Sequence, residues 1–337
     1  MTRRELLIGS AAATVLPAFD APVTAMGIAT TSLMTARRPH DTLEFLEYCH
    51  TLGAGGIQAS LTSLDPSYLK KLRARAEELA MYIEVMAELP HKDADAAEFE
   101  GSMRAAKDVG ALCIRTACLG GRRYENFSDL AAWQAFVTAS RAAIDRAVPI
   151  VTRHQMPLAI ENHKDWTARE LASLMKDRSS EYLGVCLDTG NNIALLDEPM
   201  ETIEILAPFT LSTHFKDMAM ESYPDGFLLS EVPLGAGIID LPRAVATIRR
   251  ARPKTRFSLE MITRNPLEVP CLTEKYWATF PGRSGKYLAG TLRLIPRSVS
   301  RLQHLPRIDD QSRQDLLQLE EDNIRKSMSY AHTRLGL

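Results

Sequence analysis

The stretch YLGVCLDTGN, Tyr182 to Asn191, poses the question on which the fold turns. Leu183 to Leu187 reads as a buried strand, yet it runs straight into a carboxylate, Asp188, and then a turn. An Asp in that place is ordinarily a helix N-cap or a turn residue. Another role becomes the better reading only if other strands end the same way.

Seven further β-like runs surround it: MGIATT (26–31), GGIQAS (55–60), YIEVMA (82–87), ALCIRTA (111–117), PLAIEN (157–162), TLSTHF (210–215) and RFSLEM (256–261). Amphipathic helical stretches alternate with them, including DTLEFLEYCHTL from Asp41, DPSYLKKLRARAEELA from Asp65, SDLAAWQAFVTASRAAIDRAV from Ser128 and DLPRAVATIRRA from Asp240. Ser or Asp at the front of each is an N-cap signal. Eight strand–helix alternations predict a parallel sheet, and eight is the number that closes a (β/α)8 barrel. A doubly wound sheet competes, but no GxGxxG follows the first strand. The expected fold is therefore α/β, a single-domain TIM barrel over residues 26–300. The long segment after the last strand, with Tyr276, Trp277 and Phe280, is expected to cover the barrel mouth or pack on its outside. Residues 301–337 form a charged amphipathic extension, read as a surface or homo-oligomer-contact helix.

The fifth strand ends at Glu161, the sixth at Asp188, the seventh at His214 and the eighth at Glu260. All four lie at strand C-terminal ends, the face on which barrel active sites form. Alternation places them on the inward face with Ala159, Gly184, Cys186, Thr210, Ser212 and Ser258. It points Leu158, Ile160, Val185, Leu187, Leu211, Thr213, Phe257 and Leu259 outward. Taken singly, each of the four reads as a cap or a hydrogen-bonded core group. With one parity, at one end of consecutive strands, they read as a single site. Three carboxylates converging there repel, since two like charges about 4 Å apart cost roughly 4 kcal/mol at an effective dielectric near 20. A divalent cation removes that cost, and the neutral imidazole of His214 adds a fourth ligand. This oxygen-rich set favours one Mn2+, with Mg2+, Co2+ or Zn2+ as alternatives, over a closed tetrahedral zinc site. Asp188 thus ends an apolar strand as one wall of a metal site.

The bulk composition is compatible with this and excludes other classes. The 337 residues are 45% hydrophobic and 24% charged, with a net charge of −2, so no global field draws in nucleic acid or an anionic membrane. No apolar run reaches the roughly 20 residues of a membrane span. Five scattered cysteines read as buried thiols rather than a disulfide framework. At the N-terminus, Arg3 and Arg4 precede a short Ala-rich apolar run, and Val23-x-Ala25 offers an imperfect cleavage site. Residues 1–25 are read as a twin-arginine export signal, which places the protein in the periplasm. The alternative is an ordinary basic helix on a cytoplasmic protein.

With these residues placed, the chain resembles the xylose isomerase-like TIM-barrel superfamily, often described as sugar phosphate isomerases and epimerases. The resemblance covers roughly Met26 to Ser300. It rests on AIENH (159–163), CLDTGNN (186–192), STHFKD (212–217), VPLGAGIIDL (232–241) and SLEM (258–261). It implies that Glu161, Asp188, His214 and Glu260 bind one divalent metal and that the two glutamates also move protons. Two departures concern the substrate: Asn191 stands where several sugar epimerases have His, and Ala236 where relatives often carry an acidic or amide residue. The apurinic endonuclease branch uses a His-rich trinuclear zinc site. Only eight His in the chain and the negative charge disfavour DNA repair.

The implied chemistry is enolisation. A sugar isomerase or epimerase would abstract the proton beside a carbonyl through a metal-stabilised enediolate, with Glu161 or Glu260 as the base. A lyase or hydratase on 3-keto-glycosides would use the same C2 deprotonation, followed by β-elimination, and export favours that alternative. A non-catalytic sugar-binding barrel is the third reading. His163, Lys216, Arg115, Asn191 and Glu88 are substrate-binding candidates, with Lys164 adjoining His163. For Lys216 and Arg115 a salt bridge at the barrel rim is the competing role.

Overall fold

Alternating branched residues set the strands, and Asp caps set the helices, in residues 24–337, which the computed structural model describes. The strands are β1 (Gly27–Ala29), β2 (Gly56–Ala59), β3 (Tyr82–Met86), β4 (Ile114–Thr116), β5 (Leu158–Glu161), β6 (Leu183–Asp188) and β7 (Thr210–Phe215). They continue with β8 (Asp217–Tyr223), β9 (Gly226–Val232), β10 (Ser258–Leu259) and β11 (Leu267–Val269). Strands β1 to β7 and β10 close an eight-stranded parallel barrel, each within one of the expected runs. Arg3 and Arg4 lie outside the described residues.

The helices start where the sequence puts acceptors. Asp41 accepts from the N–H groups of Leu43 and Glu44, each at 2.9 Å, to open Thr42–Thr51. Asp65 opens Pro66–Glu78, and Asp240 opens Leu241–Ala251. Near Ser128 the cap is Asp129, one residue on, which starts Leu130–His154. These contacts satisfy amide groups that a helix leaves unpaired at its N-terminus. In Leu241–Ala251 the buried residues Leu241, Ala244, Val245 and Ile248 follow one helical stripe against the sheet.

Side-chain parity divides the interior in two. Leu158, Ile160, Val185, Leu187, Phe257 and Leu259 join the large core between strands and helices. Cys113, Ala159 and Cys186 form a small cluster inside the barrel. Leu211, expected to face outward, packs on this inner cluster instead. The cause is a register shift at Val185/Cys186, where Val185 pairs with Thr210 and Cys186 with Ser212. Gly184 makes the room, because a Cβ there would lie 2.6 Å from the Leu211 side chain and 2.4 Å from the Phe209 carbonyl.

A second sheet was not foreseen. After β7 and the single residue Lys216, β8 and β9 form an antiparallel hairpin over Pro224–Asp225, and β11 pairs with β9. The glycine-rich loop after β9 closes round Asp217. That carboxylate accepts from the N–H groups of Met218, Gly235, Gly237 and Ile239 at 2.9–3.1 Å. A Cβ on Gly237 would fall 2.3 Å from Asp217 Oδ1, so the loop needs glycine there. The VPLGAGIIDL motif is thus a carboxylate cradle.

The segment after β10 packs both over and beside the barrel. Buried Tyr276 donates to the Ala194 carbonyl at 2.9 Å, and Phe280 stacks on it with centroids 5.4 Å apart. The C-terminal extension carries the helix Arg313–Tyr330, which returns to the start of the chain. Its buried Glu320 accepts from the N–H groups of Thr35, Ala36 and Arg37 at 2.8, 3.2 and 3.0 Å. All five cysteines are free thiols, four of them buried. No described helix is long and apolar enough to cross a membrane.

Candidate metal centre

Glu161, Asp188, His214 and Glu260 converge at the C-terminal end of the barrel, each offering one ligand-type atom within 4.8 Å of the others. All four are buried. The register explains the meeting, since Asp188 pairs with His214 and His214 with Ser258, two residues before Glu260. His214 Nδ1 lies 3.2 Å from Glu161 Oε1, 3.2 Å from Glu260 Oε1 and 3.9 Å from Asp188 Oδ2.

The tautomer of His214 follows from a buried polar chain. Gln58 Nε2 donates to Glu84 Oε2 at 2.9 Å and to Ser212 Oγ at 3.1 Å, which orients its amide oxygen towards the ring. That oxygen accepts from His214 Nε2–H. Nδ1 therefore carries the lone pair, and burial pushes the imidazole pKa down to about 4, keeping the ring neutral at pH 7. Glu84 also accepts from Ser212 Oγ at 2.6 Å, and burial raises its carboxyl.

His214 Nδ1 is buried with no hydrogen-bond partner among the described residues, while Glu161 Oε2 and Asp188 Oδ2 meet only the cations Arg115 and Lys216. A lone pair facing three carboxylates is repulsive unless a cation lies between them. The donor set and the unpartnered His214 Nδ1 fit a divalent ion.

The cations around the quartet are paired with it. Lys216 Nζ lies 2.8 Å from Asp188 Oδ2, contacts Glu260 Oε2 and is 3.9 Å from Glu231 Oε1. Burial opposes the Lys216 charge, but Asp188, Glu260 and Glu231 outweigh it and raise its pKa. Burial likewise opposes the Glu260 charge, yet its neighbours, Lys216 among them, hold that carboxyl well below its usual range. Arg115 contacts Glu161 Oε2. Both Lys216 and Arg115 therefore form ion pairs with the quartet.

The other expected site residues divide. Asn191 is buried and donates to Glu161 Oε1 at 3.0 Å, while its Oδ1 accepts from Lys216 at 3.4 Å, so it braces the ligands. His163 donates from Nδ1 to the Leu119 carbonyl at 2.8 Å and is only partly buried. Lys164 is buried at the same turn. Glu88 is exposed beyond β3, on a groove with His91, Asp95 and Glu98, and is not in the cluster.

Several contributors escaped the sequence reading. Gln58 and Glu84 form the chain behind His214, and Thr31 donates to Glu260 Oε1 at 2.8 Å. Asn162 clamps the backbone of Asp188 from both sides at 2.8 Å. Glu231 of β9 meets Arg264 at 2.6 Å and brings the unforeseen hairpin to the site. Glu84 was accessible by parity, because Ile83 and Val85 flank it as outward residues.

The fold and site define a closed parallel barrel with a buried carboxylate–imidazole cluster at its C-terminal mouth that could hold a metal ion. Residues 46–278 match the xylose isomerase-like TIM barrel family, and the chain belongs to it. It is 28% identical over 211 residues to a 3-oxo-isoapionate decarboxylase of Pectobacterium atrosepticum, an alignment covering 60% of this chain and 71% of that protein. Its fold is similar to that of a probable 3-DHS dehydratase, AsbF, of Bacillus anthracis, with TM-score 0.58, 15% identity, and 92% and 99% of the two chains covered. It is also similar to an IOLI protein solved with a zinc atom, with TM-score 0.55, 15% identity, and coverage of 83% and 99%.

Proposed function

We propose that the protein is a divalent-metal-dependent enzyme that moves a proton beside the ketone of a carbohydrate, as a sugar isomerase or epimerase does. The observation that carries this is the His214 lone pair facing three buried carboxylates. Glu161, Asp188, His214 and Glu260 would hold Mn2+ first, with Mg2+, Co2+ or Zn2+ as alternatives. Such an ion supplies electrophilic stabilisation for negative charge developing on a substrate oxygen.

The chain's own residues supply the rest. Glu161 and Glu260 each keep one oxygen near His214 Nδ1 and are the candidate proton carriers, one removing the proton and one returning it. Arg115 holds Glu161, and Lys216 with Thr31 holds Glu260, so the two carboxylates sit in different cationic surroundings. Such differences assign acid and base roles to paired carboxylates. Burial of the quartet excludes water from the developing charge.

A second reading is cleavage of a 3-keto-glycoside rather than isomerisation; the decarboxylase among the similar proteins breaks a different bond, C–C, but likewise cleaves rather than isomerises. In a 3-keto-glycoside the electrons of the C2–H bond would form a C1–C2 double bond. The aglycone would leave with the C1–O pair and take up a proton. Both readings begin by moving electrons towards the same ketone.

A proton NMR time course in D2O with the Mg2+-loaded protein separates them. A ketohexose and a 3-keto-glucoside are offered in parallel. Deuterium at the carbon beside the ketone, with a new epimer or aldose, supports the isomerase; aglycone release supports the lyase. Neither exchange nor cleavage in either tube refutes proton transfer.

A further inference from the structure

One cation at the barrel mouth contacts no carboxylate. Glu161, Asp188, Glu260 and Glu231 are the buried carboxylates, and Arg115, Lys216 and Arg264 are the cations in contact with them. Lys164 belongs to the same charged group, with Lys216, Arg264, Glu231 and Asp188 as its electrostatic neighbours. Its side chain is 4% exposed, yet its Nζ makes no ion pair or hydrogen bond among the described residues. Burial, then the charges of Lys216 and Arg264, push its pKa down to about 7.

The backbone strengthens the case. Lys164 has φ 63°, the left-handed region, which costs a side-chain-bearing residue roughly 1–2 kcal/mol. Its carbonyl is tied down by the Arg123 N–H at 3.0 Å, and the neighbouring turn is fixed by Asp165, which accepts from the N–H groups of His163 and Trp166. The turn therefore presents a lysine in a fixed, strained setting where no side chain among the described residues contacts its ammonium. With a divalent ion in the quartet and Lys164 protonated, these groups would carry a surplus of two positive charges. The Nζ itself is not among the fully buried unpartnered atoms, so an ammonium on a largely buried stem is open to a ligand anion as its counterpart.

We propose that Lys164 anchors a carboxylate of the substrate, making that substrate a keto-sugar acid rather than a neutral ketose. This rests on the keto-sugar reading above. Arg264 and Lys216 are already engaged by Glu231, so one free ammonium matches one carboxylate better than a phosphate dianion, which calls for several donors.

Calorimetric titration of the Mg2+-loaded protein tests this with D-fructuronate and D-fructose, which differ only by a carboxylate in place of the C6 hydroxymethyl group. D-fructose 6-phosphate is the third ligand. The wild-type protein should prefer fructuronate to fructose by about tenfold or more, and K164M should bring that ratio near one. Equal wild-type affinities, a preference surviving in both K164M and K164Q, or tighter binding of the phosphate would overturn the anchor. The wild-type comparison decides even if neither variant folds. Selective fructuronate binding without exchange or cleavage in the NMR assay supports the anchor and counts against proton transfer.

Discussion

Gln58 fixes which nitrogen His214 turns towards the carboxylates, so its effect on metal binding should exceed what its distance suggests. Gln58→Ala should weaken metal affinity roughly 10–100-fold, as loss of a ligand-orienting partner does. Competition with a chelating dye measures it, and unchanged affinity would show that the tautomer is set elsewhere. Asp165 gives a pH signature away from the ligands. Burial pushes its carboxyl to about 7, against 3.8 when unperturbed. The folded state therefore binds the extra proton between those values, and the associated stability, complete below about pH 4, is lost as pH rises through 7. Asp165→Asn keeps the acceptor used by His163 and Trp166 and removes the ionisation. It should gain about 2 kcal/mol over wild type between pH 5 and pH 8 in urea titrations. A difference independent of pH would refute the assignment. At this scale the quartet was legible because Glu161, Asp188, His214 and Glu260 share a parity and a strand end. Glu84 was not legible because a lone inward Glu in YIEVM has no partner visible in sequence: its partners Gln58 and Ser212 come from distant strands.

Elements tell a similar story. The barrel strands announced themselves through apolar runs bounded by turns, and the helix starts through Asp41, Asp65 and Asp240. The β8–β9 hairpin did not, since only Lys216 separates β7 from β8 and its Pro-Asp-Gly turn lies in the connection that leads to the helix expected from Asp240. Leu211 likewise faces inward through a bulge whose cause, the space over Gly184, is tertiary. The helix Arg313–Tyr330 was expected, but its hold on the loop after β1 was not. Glu320 satisfies three successive backbone N–H groups there, next to Met34 and Arg38, which line a cavity of about 530 Å³ at the mouth. Glu320→Ala should cost about 2–4 kcal/mol in urea denaturation, because buried donors lose a charged acceptor. It should also raise KM more than it lowers kcat; an unaltered KM would show that the loop keeps its shape unaided.

For the whole molecule, eight strand–helix alternations pointed to a single barrel, and the closed eight-stranded sheet agrees. Address is a separate matter: the proposed twin-arginine signal rests on Arg3 and Arg4 rather than on the fold. Changing both to lysine should hold the protein in the cytoplasm, read by fractionation and immunoblotting; unchanged export would refute a twin-arginine route. The barrel closes by pairing β1 with β10, and Glu320 reaches back to residues 35–37. During synthesis these partners leave the ribosome far apart in time, since at roughly 5–20 residues per second the chain takes tens of seconds to complete. The first strand must wait with an unpaired edge, a state that invites chaperones and mispairing. Until residues 313–330 have emerged, Glu320 cannot hold the loop after β1 in place beside Glu260 and Thr31. A nascent chain short of that helix carries the four clustered residues without the brace on their neighbouring loop.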